Sequence, residues 1–345
     1  MQAARVVEFY SGIGGMHFAL EESGMPHDVV ACIDINDVAN SVYRHNFPTT
    51  RLLQRNIESL TVEEVDKLNA DMFLMSPPCQ PFTRVGLKGD TLDKRTRSFL
   101  YILDLIQKLE KKPSCLLIEN VKGFESSDTR QHLVDMLCKT RYSYQEFLLS
   151  PLQFGIPNSR LRYYLVAIKP PLAFPFRVSE QVLSDFPVQQ SAAPLEQTIE
   201  NFLEKDQSKD YFEHFLLDPK LLNRYGTILD IVASKSKGSC CFTKAYSHYV
   251  QGTGSVLQMN EAISIDSVYA QFKTDDVDDP DKSVLSPLKL RFFTPKEVAN
   301  LLSFPPRFSF PESTSNRQRY RLLGNSLNVH VVAQLLTLWN QARVE

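Results

Sequence analysis

The stretch "RVVEFYSGIGGMHFALEESG", residues 5–24, decides how the whole chain is read. "RVVEFY" is short, apolar and rich in residues that suit a pleated strand. "SGIGG" then turns the chain, and "MHFALEESG" reads as a helix closed by Gly24. Next come "DVVACIDI", residues 28–35, a second strand, and "NDVANSVYRHNF", a second helix with Asn36 in a capping position. A strand that runs into a glycine turn and a helix, with an acidic residue ending the next strand, is how α/β proteins hold a nucleotide's ribose. Here that acid is Asp34. The glycines Gly12, Gly14 and Gly15 are spaced G-x-G-G, unlike the G-x-G-x-x-G of dinucleotide sites. A ligand with a ribose but no pyrophosphate, such as S-adenosylmethionine, suits this spacing. A tight turn followed by a helix-capping aspartate is the other reading of the same residues.

The alternation continues down the chain. "TVEEVDKLN" is a helix opened by a capping box of Thr61 and Glu64, and "DMFLMS" is a strand. Residues 97–110 read as a helix, "SCLLIEN" as a strand and residues 128–140 as a helix. "YQEFLLS" and "RLRYYLVAI" read as further strands. The pattern predicts an α/β fold whose parallel sheet is covered on both faces. It breaks down from about residue 170. Residues 171–290 hold 11 Lys and Arg against 17 Asp and Glu, a net charge of −6. Prolines cluster near the start of this stretch and its strand-like pieces are short, so it reads as a separate, irregular domain. Regularity returns in "FFTPKEVANLL", where Thr294 caps, Pro295 stands first in the helix and Glu297 completes a second capping box. "SLNVHVVAQLLTLWNQ" is a final helix. The expected organisation is a core of residues 1–170, an irregular domain of residues 171–290, and a helical segment of residues 291–345 that completes the core.

The 345 residues are 43% hydrophobic and 23% charged, with a net charge of −2. This is the composition of an ordinary globular protein with no global basic bias. No run approaches a membrane span, and the first residues lack a long apolar signal core. The six cysteines, at 32, 79, 115, 138, 240 and 241, include no C-x-x-C, and there is no H-E-x-x-H. These features predict a reduced intracellular protein without a zinc site. The expected setting is the cytoplasm, with the nucleus also open, and the expected state a monomer.

One cysteine stands apart. In "MSPPCQPF", residues 75–82, Cys79 is framed by Pro77, Pro78 and Pro81 at the end of a strand. Each proline fixes φ and removes a backbone donor, so the thiol is held in a stiffened loop. Ligands of an open α/β sheet bind beyond the carboxyl ends of its strands, which brings Cys79 to the crevice that the glycines face. A nucleophile fits that place better than a buried structural thiol. Glu119 ends the apolar run "LLIENV" and reaches the same edge, where it reads as a catalytic or as a structural carboxylate. A thiol and a carboxylate from separate strand ends suit covalent catalysis with proton transfer. In "RLRYY", Arg160 and Arg162 alternate and are expected on one face of a strand, where they either are solvated or favour an ionised thiol.

With "FYSGIGG", "MSPPCQPF", "LLIENV", "FGIPNSRLRYY" and "RYRLLGNSLNV" in one order, the chain resembles the cytosine-C5 methyltransferase family over residues 5–170 and 291–340. It is most similar to the tRNA-modifying branch, the tRNA-aspartate cytosine-38 C5-methyltransferases, through its bare core and "CFTKAY", residues 241–246. The resemblance implies a Rossmann-like S-adenosylmethionine-dependent methyltransferase sheet with a smaller target-recognition domain. Cys79 would attack cytosine C6, and Glu119 would hold N3 and the exocyclic amine. Arg160 and Arg162 would orient the base and steady the thiol. The cofactor, released as S-adenosylhomocysteine, would lie among Tyr10, Ser11, Gly12, Ile13, Gly14, Gly15, Asp34, Ile35, Asn56, Ile57, Ser76, Pro77, Asn325 and Ser326. Asn56 and Asn158 depart from the Asp and Gln of many DNA-acting members.

The resemblance also implies the substrate: an RNA cytosine, in tRNA-Asp, with DNA as the weaker alternative. Cys241, Phe242 and Thr243 of "CFTKAY" would touch it, together with the local basic residues Arg84, Lys88, Arg95, Lys237 and Lys244, whose other reading is a solvated face. The acidic stretch 171–290 offers no continuous basic channel for a duplex, whereas loop bases in RNA are already partly splayed. Residues 80–97 are expected to form a loop that closes over the base. An inactive cofactor-binding protein and a nucleotide-dependent oxidoreductase are the other classes. Intact Cys79 and Glu119 argue against the first, and the glycine spacing against the second.

Overall fold

The computed structural model describes residues 2–78, 94–187, 196–271 and 283–343. Ala4–Phe9 forms β1, with Val7 and Phe9 in one core cluster and Ala4 and Val6 in the other, one on each face. Burial on both faces is why the strand reads as a nearly unbroken apolar run. Gly15–Glu22 is α1, His27–Ile33 is β2, and Asp37–Asn46 is α2, capped by Asn36, whose Oδ1 accepts from Ala39 N at 3.0 Å. There follow β3 (Leu52–Leu53), α3 (Val62–Asp66) with its Thr61–Glu64 capping box, and β4 (Met72–Met75). The next elements are α4 (Lys94–Lys108), β5 (Cys115–Val121), α5 (Asp128–Lys139), β6 (Ser143–Leu149) and β7 (Arg162–Ile168).

The sheet order is β3-β2-β1-β4-β5-β7-β6. Strands β3, β2, β1, β4 and β5 pair in parallel, while β7 runs antiparallel to both β5 and β6. The sheet is therefore mixed, where the alternating pattern predicted a parallel one. The strand that reverses lies next to last in the sheet, and short local pairing suffices to join it to β6. The chain leaves β1 towards β2 on one side and returns to β4 on the other. A crevice opens at such a reversal, beyond the carboxyl ends of the two strands.

The remaining chain builds a second, three-stranded sheet, β10-β9-β8, from β8 (Ile231–Val232), β9 (Val256–Gln258) and β10 (Leu290–Phe292). Around it lie α6 (Lys209–Glu213), α7 (Pro219–Tyr225) and α8 (Ile265–Tyr269). This region has a small apolar cluster of its own, including Leu222, Val268, Leu285 and Leu290. It also shares the main core through Phe215, Phe242, Tyr246 and Leu257. β10 straddles the expected boundary at residue 290. Past it, Arg291 of β10 grips Glu297 of α9 (Pro295–Leu301) through two buried bonds of 2.7 and 2.8 Å. α10 (Asn316–Asn325) and α11 (Val329–Ala342) follow, and α11 packs against α1. α10 was not anticipated from the sequence: its residues are mostly polar, and its signal is the Ser315–Gln318 capping box.

Candidate active site

Beyond the ends of β1, β4 and β5 lies a cleft of about 630 Å³, a size typical of small-molecule sites. Three strand ends meet in it. Ser76, just after β4, donates from Oγ to Tyr10 O at 3.0 Å and so fastens the β4 exit to the β1 exit. Asn120 in β5 donates from Nδ2 to Pro77 O at 3.4 Å, tying the approach to Cys79 to the strand that carries Glu119. Cys79, Arg84 and Lys88, and the side chain of Arg95, lie outside the described residues. Of the expected closing loop, residues 94–97 are the first turn of α4, and Arg97 pairs with Glu58 at 3.1 Å.

The glycine turn forms one wall. Gly12, at φ 53°, donates from its backbone N to Asp34 Oδ2 at 2.9 Å, and Asn36 N donates to Oδ1 at 2.8 Å. Two backbone donors thus fix the Asp34 carboxylate, and each oxygen keeps lone-pair capacity for a ligand hydroxyl. A Cβ on Gly15 would sit 3.1 Å from Ser326 Oγ and from Leu327, so this glycine lets the turn approach the C-terminal segment. Gly14 does not line the cleft. Its φ is 87°, and the Phe47 ring lies 2.7 Å from where a Cβ would stand, so its work is packing under the turn. Tyr10, Ser11, Gly12, Ile13, Gly15, Asp34, Ile35, Asn56, Ile57, Ser76, Pro77, Asn325 and Ser326 all line the cleft. Ile35 is 68% exposed there, an apolar face open to a flat ligand. Ribose acceptors, glycines that admit close approach and an apolar rim fit the nucleoside part of S-adenosylmethionine.

Glu119 and Arg162 face the same cleft from β5 and the start of β7, with Arg162 Nε 3.6 Å from Glu119 Oε1. Burial raises the Glu119 carboxyl above its ordinary range, and Arg162 and Arg160 oppose that rise. Arg160 was expected beside Arg162 in a strand, but β7 starts at Arg162 and Arg160 lies in the loop before it. It is buried, with Nη1 donating to Phe242 O at 3.1 Å and Nη2 to Gly324 O at 3.2 Å and to Ser326 O. Both terminal nitrogens are therefore engaged in bracing the cleft wall.

The "CFTKAY" stretch adjoins this brace. Burial by itself would raise the Cys241 thiol, but Arg160 and Arg162, 3.6 and 3.7 Å from its sulfur, hold it below its ordinary value. Phe242, expected at the substrate, is 1% exposed and packs edge-on against Tyr246 and Phe293, so its side chain belongs to the core. Thr243 is half-buried and Lys244 exposed. Lys237 is exposed and paired with Glu196 at 2.6 Å. Sequence reasoning did not find Gly324, Ser98 or Glu58 in the cleft wall. Gly324 stood inside a quoted motif, and its need became visible only with its neighbour. A Cβ there would fall on Lys244 N and Thr243 C, so only glycine lets the two backbones meet. Among the described residues no helix is long and apolar enough to cross a membrane, and no cluster of His, Cys, Asp and Glu could hold a metal.

The mixed sheet, the reversal in strand order and the cleft beside it are those of a Rossmann-like methyltransferase. The profile of the C-5 cytosine-specific DNA methylases matches residues 4–338, and the chain belongs to that family. A mouse relative, named tRNA (cytosine(38)-C(5))-methyltransferase, is 49% identical, with 98% of this chain and 94% of the relative covered. A Dictyostelium discoideum relative named DNA (cytosine-5)-methyltransferase is 42% identical over 97% of this chain and 94% of its own. The crystal structure of a mutant DNMT2 from Spodoptera frugiperda superimposes with a TM-score of 0.87 at 44% identity, covering 98% of this chain and all of the other.

Proposed function

We propose that this protein methylates C5 of a cytosine in RNA, namely cytosine 38 in the anticodon loop of tRNA-Asp, with S-adenosylmethionine as donor. One observation carries the reading. A single cleft joins the fixed carboxylate of Asp34 to the Glu119–Arg162 pair and runs to Pro77 and Pro78, the residues that precede Cys79. The identity to relatives named for this reaction supports the choice of substrate.

S-adenosylmethionine, when bound, supplies an electrophilic methyl group. Asp34 accepts from the ribose hydroxyls, and the glycine turn, Asn325 and Ser326 enclose the rest. Glu119 meets the cytosine edge. Burial raises its carboxyl above the ordinary range while Arg162 and Arg160 oppose that rise, which favours sharing a proton with N3, and it accepts from the exocyclic amine. Arg162 holds the Glu119 carboxyl in place and balances charge that builds on the ring. Cys79 adds as thiolate to C6, forming a C–S bond as the C5–C6 electron pair moves to C5, and C5 takes the methyl group while the donor's S–CH3 bond breaks and S-adenosylhomocysteine is left. A base then removes the C5 proton, the C5–C6 double bond re-forms, the C–S bond breaks and the thiolate is released. Arg160 acts through the cleft wall that it braces. The proposed setting is a reducing compartment, the cytoplasm, in which Cys79 stays a thiol.

The test is methyl transfer to mixed tRNA and to duplex DNA, side by side at one salt concentration, with the product base mapped. The reading expects a single tRNA cytosine to be methylated far faster than DNA, with binding that weakens as salt rises. The name of the Dictyostelium relative favours DNA as the second reading. Duplex DNA methylated as fast as tRNA would replace the first reading by the second.

A further inference from the structure

Residues 240–255 form no helix or strand, yet the segment is held tightly from both ends. Asn158 Nδ2 donates to Cys240 O at 3.1 Å, and Cys240 N donates to Ser255 Oγ at 2.7 Å. Thr243 N donates to Thr253 O at 2.8 Å, Tyr249 N to Ala245 O at 2.9 Å, and Thr253 Oγ1 to Tyr249 O at 2.5 Å. Its inner side is core. The Phe242 and Tyr246 rings meet edge-on at 4.9 Å, and Tyr246 OH accepts from Phe293 N and donates to Ser255 O. Gly254, at φ 151°, has both rings 2.7 Å from where a Cβ would stand, so the loop closes onto its own core.

The outer side differs. Lys244, His248 and Tyr249 are exposed, and Tyr249 is 63% exposed, its ring accompanied by His248 at a centroid distance of 4.7 Å. The segment also packs against residues of the cleft wall. Gly324 packs backbone to backbone against Thr243 and Lys244, and Arg160 ties Phe242 O to Ser326 O. A hydrogen-bonded frame thus carries an exposed aromatic ring and a cation on a segment whose backbone abuts the wall of the cleft that would receive the target base.

We propose that Tyr249, with His248 and Lys244, is a stacking platform for an unpaired base next to the target cytosine in the RNA. The proposal rests on the RNA reading above and adds the residue that holds the loop. Drawing a base out of a loop leaves its neighbours unstacked, and an aromatic ring recovers stacking without regard to sequence. Tyrosine suits this because it offers a large face at a small loss of side-chain freedom. The hydrogen-bonded frame orders the ring before the RNA arrives, which limits the entropy lost on binding. Lys244 on the same segment supplies the charge for an adjacent phosphate.

The experiment uses the full-length protein and a tRNA-Asp transcript, and compares Tyr249→Ala, Tyr249→Leu, Tyr249→Phe and Tyr249→Trp. Steady-state kinetics give kcat and KM for the RNA, calorimetry gives S-adenosylmethionine affinity, and melting reports the fold. For the alanine and leucine variants the expected result is a KM raised about 5- to 150-fold, the effect of losing one base stacked on a ring. Their kcat, cofactor affinity and melting stay near wild type, and phenylalanine and tryptophan restore KM. If the alanine variant melts early, the leucine and tryptophan pair decides, since both fill the volume and only one stacks. Unchanged KM in the leucine variant, or equal loss in the phenylalanine and leucine variants, overturns the platform while leaving tRNA methylation intact. A wild-type protein inactive on tRNA overturns the substrate reading and the platform together.

Discussion

Glu8 offers a test of the fold directly beneath the cleft. It lies in β1, two residues before the glycine turn, and is fully buried on the face packed against α1 and α2. Tyr43 OH donates to its Oε1 at 2.7 Å, and His17 Nδ1 meets the same hydroxyl at 2.7 Å. Burial pushes the Glu8 carboxyl up from 4.5 to about 8, and the bonds from Tyr43 and His17 reduce that rise. Burial likewise pushes His17 down to about 3, with smaller contributions from His27 and Arg307, so this histidine stays neutral. A carboxyl raised in the folded state stabilises the fold fully below the unfolded value. That contribution is lost as pH rises through the folded value. Between pH 5 and pH 8 the loss is about 3 to 4 kcal/mol, since each unit of pKa difference is worth about 1.4 kcal/mol. Glu8→Gln keeps the acceptor for Tyr43 and removes the titration. Urea unfolding of both proteins at pH 5, 6, 7 and 8 should show wild-type stability falling relative to the variant by roughly that amount. Two curves that stay parallel across the range would refute a buried, protonated Glu8.

Four further outcomes are expected. Cys79→Ala should abolish methyl transfer and leave S-adenosylmethionine affinity near wild type by calorimetry, and retained turnover would remove Cys79 from the mechanism. Glu119→Gln keeps the shape but cannot share a proton with N3, so single-turnover rates should fall by about 10²–10⁴; a wild-type rate would show that Glu119 is structural. Asp34→Ala should weaken cofactor binding, and an unchanged dissociation constant would exclude the ribose contact. Gly324→Ala forces its Cβ onto Thr243 and Lys244, so RNA methylation should drop sharply in an initial-rate assay; full activity would mean the two backbones separate freely.

The sequence alone determined the order of the main strands and helices of the core up to residue 170, and of α9 and α11, because apolar periodicity and capping residues act locally. Asn36, Thr61 with Glu64, and Thr294 with Glu297 all cap helices where the sequence placed them. It also determined that Asp34 directly follows β2 and that Glu119 closes the apolar run of β5, although the pairing of that strand continues to Val121. Whatever depended on neighbours far along the chain was hidden. The direction of β7, the polar helix α10 and the buried Arg291–Glu297 pair follow from partners distant in sequence or from packing that only the closed chain supplies. So does the division of labour between two arginines that the sequence treats alike. Arg162 faces Glu119, while Arg160 is spent on the carbonyls of Phe242, Gly324 and Ser326, 82 to 166 residues away. Gly14 and Gly15 differ in the same way: one packs on Phe47 and the other admits Ser326. Local periodicity records which face of an element is apolar, and carries no information on which distant atoms will stand opposite it once the chain has closed.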